Sequence, residues 1–82
     1  MTNESRGYSS LFLQQVKAGD RRSLVNKFAM ACIKRDIPIT AMAREMGVTR
    51  ATVYNWFTGR TDPRPQHLSF MKQYLTWWKS GD

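Results

Sequence analysis

The apolar residues of this chain gather in groups set apart by turn-forming residues. The first group holds Leu11, Phe12, Leu13 and Val16. Its members are bunched, so a short helix there rests on the flanking signals: Ser9 or Ser10 as cap and Gly19 as stop. Next come Leu24, Phe28, Ala31 and Cys32 at three- and four-residue intervals, with Val25 and Ile33 widening the stripe. That spacing predicts a longer helix over about 21–35 with Asp20 as its cap. Pro38 disfavours helical backbone at Ile37, so this helix should stop near Asp36.

Met42, Ala43 and Met46 form the apolar face of a short helix over 40–46. Gly47 suits a left-handed turn position after it. Thr49 caps a further helix over 50–58, with Val53, Trp56 and Phe57 on its inner face and Gly59 as its stop. Residues 60–65 hold two prolines and an aspartate and read as a loop. Leu68, Met71, Tyr74, Leu75 and Trp78 then mark a last helix over 65–79. No internal repeat and no strand-like alternation occurs. The expected fold class is all-α, with four or five short helices. Residues 1–8 read as a flexible N-terminal tail, and 9–79 as a single domain.

Composition narrows the function. The chain has 82 residues and is 41% apolar, which suits one small globular domain with little room for an enclosed catalytic cavity. Thirteen Lys and Arg against six Asp and Glu give a formal charge of +7. Such a surplus favours a polyanionic partner through phosphate contacts and counterion release. The lone Cys32 has no partner for an internal disulfide, no signal peptide is visible, and no apolar run nears the roughly 20 residues that span a bilayer. The expected location is cytoplasmic. There is no acid pair at useful spacing, no Cys/His cluster and no Gly-rich phosphate loop, so an enzyme, a metal site and a bound cofactor are not expected.

The segment 40–60 carries the sharpest signal: short helix, turn with a glycine, short helix. Ala43 is small where the two helices would cross, and Val48 fills the gap between them. At about 100° per residue, Val53, Trp56 and Phe57 cluster on one side of the second helix. Ala51, Asn55 and Thr58 fall on the other, and Arg50 sits in the first turn. Such a face suits base edges: Arg pairs with guanine O6 and N7, Asn pairs with adenine N6 and N7, and small groups admit a thymine methyl.

Thr40-Ala-Met-Ala-Arg-Glu-Met-Gly-Val-Thr-Arg-Ala-Thr-Val-Tyr-Asn-Trp-Phe-Thr-Gly-Arg60 resembles the helix-turn-helix of the Cro/phage-repressor (XRE-like) family. Ala43, Gly47, Val48, Val53, Trp56 and Gly59 stand at that family's spacing, and a weaker likeness extends over about 22–78. The resemblance implies a lambda-repressor-like domain that binds double-stranded DNA as a transcriptional regulator, often dimeric and often from phages or plasmids. It puts Arg50, Ala51 and Asn55 at base-reading positions. It puts Thr49, Tyr54, Thr58 and Arg60 near phosphates, and Thr52, Arg44 and Arg64 are further backbone candidates. Two departures stand out. Ile39 replaces a common glutamine that touches the DNA backbone. Phe57 and Cys32 stand where many members carry a Glu and its Arg partner, which predicts an apolar Cys32–Phe57 contact.

Several residues have plainer readings. Tyr54 is either a phosphate contact or a packing residue. His67 is a lone, surface or half-buried side chain. Cys32 is a small core residue. Trp77 and Trp78 are adjacent, so one helix face cannot bury both. With Trp78 on the core stripe, Trp77 and Phe70 are left exposed and point to a homodimer interface, with Leu11 to Leu13 as neighbours. The function expected is a sequence-specific regulator of repressor type with no small-molecule substrate and no membrane partner. The alternatives are an accessory factor in replication, excision or partition, and a protein-interaction adaptor.

Overall fold

Five helices build the protein: α1 Ser10–Lys17, α2 Leu24–Lys34, α3 Ile39–Met46, α4 Arg50–Phe57 and α5 Pro65–Gly81. The structure is a computed structural model that describes residues 9–20 and 22–81, and among the described residues there is no strand. The all-α expectation therefore stands. The tail expected over 1–8 lies outside the described residues.

Side-chain oxygens start three of the helices. Ser9 Oγ accepts from the Phe12 N–H at 3.1 Å, Ser23 Oγ from the Asn26 N–H at 3.2 Å, and Thr49 Oγ1 from the Thr52 N–H at 3.2 Å. The second of these corrects the expectation for α2. Its cap is Ser23, not Asp20, and the helix begins at Leu24. Asp20 folds onto its own backbone instead. Its Oδ1 accepts from the Arg22 N–H at 2.9 Å and its carbonyl from the Ser23 N–H at 3.0 Å. Aspartate favours this turn two residues on, which leaves the cap to the next hydroxyl.

Three helices end in one way. After α2, Ile37 N–H donates to the Cys32 carbonyl and Asp36 N–H to that of Ile33. After α3, Val48 donates to Ala43 and Gly47 to Arg44. After α4, Arg60 donates to Asn55 and Gly59 to Trp56. This paired pattern is the Schellman motif, and its pivot needs a left-handed backbone. The pivots are Asp36, Gly47 and Gly59, at φ 59°, 72° and 82°. A Cβ on Gly47 would meet no atom within 4 Å, so only backbone conformation is at stake there. Gly47→Ala is expected to cost about 1–2 kcal/mol. In a domain of this size that lowers Tm by roughly 4–8 °C per kcal/mol, which a thermal melt reads directly.

The core forms where α2, α4 and α5 meet, with α1 closing one side. Phe28 is fully buried. It stacks on Trp78 at 5.6 Å between centroids and takes the edge of Phe57 at 6.0 Å. Phe12 of α1 packs beneath Tyr54 at 5.3 Å and beside Phe57 at 6.4 Å, so α1 braces α4 from the flank. Asn26 is the one buried polar residue among those described. Its Nδ2 donates to the Val16 carbonyl at 2.7 Å and ties the end of α1 to α2. Gly19 leaves room for that bond, because a Cβ there would come within 2.7 Å of the Asn26 amide.

Cys32 is fully buried in the same cluster as Phe57, Ile39 and Met42. Burial pushes its thiol pKa up to about 12. A thiol held protonated and shielded is not a nucleophile. Modification by a thiol reagent at pH 8 is expected only through unfolding, so its rate should rise with urea along the denaturation curve. Rapid labelling of the native protein would contradict this packing.

Candidate nucleic-acid interface

Helix α3, the turn 47–49 and helix α4 form the two-helix unit expected over 40–60. Ala43 is buried where α3 meets α4, and Val48 packs half-buried against the core. Val53, Trp56 and Phe57 are all buried and fix the inner side of α4. His67 of α5 supports that side as well, with its ring 4.8 Å from that of Trp56. Helical spacing assigns His67 no such part, because a pair eleven residues apart has no periodic signature.

The opposite side of α4 faces outward. Arg50 and Ala51 are exposed, and Asn55 is half-buried. The helix RATVYNWF contains no acid. At the far end of α4, Trp56 to Gly59 line a hollow shared with the α1–α2 turn.

Hydroxyl groups flank this face in particular states. Thr49 and Thr52 Oγ1 lie 2.8 Å apart, so one donates to the other and the second proton is left for an acceptor such as a phosphate. Thr58 Oγ1 donates to the Tyr54 carbonyl at 2.8 Å. It can accept from a ligand, but to donate it must leave that bond. Tyr54 is half-buried and its ring stacks on that of Phe12, so its packing role is met.

Arg44, Arg60 and Arg64 are exposed. The Arg60 N–H bonds the Asn55 carbonyl at 2.8 Å, which holds Arg60 at the C-terminal end of α4. Ile39 is buried, so the place of the usual backbone-touching glutamine belongs here to the core. Cys32 and Phe57 enter one buried cluster, as the expected apolar pairing requires.

Helix α5 leaves Trp77 64% exposed, whereas Trp78 is buried. Phe70 departs from the expected exposure. It is half-buried because its ring packs edge-on against Tyr74 at 4.7 Å. Phe70, Gln73, Tyr74 and Trp77 together line a shallow hollow. Tyr74 Oη donates to Glu45 of α3 at 3.1 Å. Partial burial, and after it the Glu45 carboxylate, raises the pKa of this phenol. At the N-terminal end, Leu11 is 63% exposed.

Among the described residues, no group of three His, Cys, Asp or Glu is placed to hold a metal. No helix there is long and apolar enough to cross a membrane. A family model described as helix-turn-helix matches residues 29–75, more than half of the chain. No curated protein and no solved structure matches it.

Proposed function

We propose a function from one premise: the chain belongs to the Cro/phage-repressor (XRE-like) helix-turn-helix family of DNA-binding proteins. The proposed role is a sequence-specific regulator of phage or mobile-element type that represses by occupying its operator. The observation that carries this reading is the two-sidedness of α4. Its inner side is locked by Val53, Trp56 and Phe57, and its outer side offers Arg50, Ala51 and Asn55.

In this reading Arg50 pairs with a guanine, Asn55 with an adenine, and Ala51 leaves room for a thymine methyl. Thr49, Thr52, Tyr54, Arg44, Arg60 and Arg64 hold the phosphate backbone and set the register, and Thr58 joins them once its hydroxyl leaves the Tyr54 carbonyl. The protein performs no chemical step and takes no cofactor or small-molecule substrate.

The reading includes a homodimer built on Trp77 and Phe70 of α5. An exposed tryptophan beside further aromatic rings is the kind of anchor that interfaces use. Trp77→Glu is expected to weaken the dimer by at least about 2 kcal/mol, the range of an interface hot spot. Sedimentation equilibrium would show a shift to monomer. A wild-type protein that stays monomeric at every concentration, and on its DNA site, would remove the dimer from the account.

The experiment for the whole reading is selection from a random duplex pool at about physiological salt, where weak non-specific binding is suppressed. Enrichment of an inverted repeat with half-sites about one helical turn apart is expected. Recovery of no motif by folded protein would overturn sequence-specific recognition.

A further inference from the structure

Much of the positive charge of this protein falls into two sets. Arg44, Arg50, Arg60 and Arg64 lie on or beside the α3–α4 unit. A second set, Lys27, Lys34, Arg35 and Lys79, surrounds a groove of about 350 Å³ between α2 and α5. No acid is among the described residues that line it. Lys27 and Lys34 share one face of α2, about 130° around the helix from Phe28 and Cys32, which point to the core, and Arg35 follows as the C-cap. The lining of the groove includes no residue of α3 or α4.

Its floor is apolar. Ala31 and Leu75 are half-buried along it, and the Trp78 ring is buried at the same wall, stacked on Phe28. The Arg35 guanidinium lies 4.9 Å from the centre of that ring and donates to the Trp78 carbonyl at 3.2 Å. These bonds hold the cation at the groove wall.

We infer that this α2–α5 groove is a docking site for an acidic, amphipathic segment of a partner protein, engaged while α4 is on DNA. Charge complementarity selects an acidic occupant. The floor selects against a bare phosphate backbone, which can meet the cations but has no apolar group to lay on Ala31 and Leu75. A peptide with carboxylates flanking leucines uses both features.

The test uses the full chain and two synthetic twelve-residue peptides, one of Glu and Leu and one of Glu and Ser. The Glu/Leu peptide is expected to bind more tightly and to shift the NMR signals of Leu75 and the Trp78 indole. The double variant K34E/K79E changes two exposed side chains and should lower its affinity about tenfold, as loss of two partly solvated ion pairs implies. The same variant should leave the salt dependence of duplex DNA binding unchanged. Four outcomes would overturn the proposal: no binding of the Glu/Leu peptide, equal binding of the Glu/Ser peptide, shifts confined to α4, or no effect of K34E/K79E on the peptide. A fifth would reassign the groove to DNA: a fall of about 2 in the slope of log K against log salt, the amount two lost phosphate contacts give.

Discussion

Arg50→Ala is expected to weaken binding to the selected operator by about 1–3 kcal/mol, and to relax the preference at one base pair only. Arg50 is exposed in the first turn of α4, and its backbone is set by the Thr49 cap. Its loss therefore removes a reading group without disturbing the helix. Asn55→Ala should produce a similar loss at a different base pair, one turn further along α4. Affinity for random duplex should change much less, because backbone contacts supply most of it. Arg60→Ala should behave in the opposite way, with a nearly uniform loss over all sequences and a smaller salt slope. Competition binding against a panel of single-base variants separates the two patterns. A uniform loss for Arg50→Ala would place that residue on a phosphate.

Phe28→Ala is expected to cost about 3–5 kcal/mol, the range for removing a buried aromatic ring. Phe28 has no exposed surface, and its ring touches those of Trp78, Phe57 and Tyr74. It thereby joins α2, α4 and α5. At roughly 0.05–0.15 kcal/mol per residue, a domain of this length has a total stability of about 4–12 kcal/mol. The variant should be partly or wholly unfolded at 37 °C and lose DNA binding as a consequence. Phe28→Leu keeps most of the volume and should retain both. Urea denaturation measures each. A loss below about 1 kcal/mol for the alanine variant would contradict the placement of Phe28 at the core.

The parts of the molecule visible in the sequence are those encoded locally. Thr49 capping α4, Gly47 turning after α3, and the inner set Val53, Trp56 and Phe57 are each short-range signals, and all three occur as expected. Competition between local signals explains the miss at α2. Asp20 and Ser23 are both good caps, and only the turn that Asp20 makes with Arg22 decides between them. The left-handed Asp36 was hidden because that position is usually glycine.

Contacts distant in sequence left no trace. Arg35 with Trp78, Tyr74 with Glu45, and Asn26 with Val16 join residues whose spacing carries no period. Net charge, in turn, sums over every face. A value of +7 suits a DNA partner, yet it cannot reveal that Lys27, Lys34 and Lys79 gather around one groove whose lining does not include Arg50. The role assigned to the outer face of α4 therefore rests on position and chemistry together, and it is open to a chemical test.

That test replaces the operator guanine assigned to Arg50 with 7-deazaguanine, which lacks the N7 acceptor but keeps the base pair. Wild-type protein is expected to lose about tenfold in affinity, within the 1–3 kcal/mol of a bidentate pair. Arg50→Ala protein should bind both duplexes equally. An equal loss for wild type and variant, or no loss for wild type, would contradict base reading by Arg50.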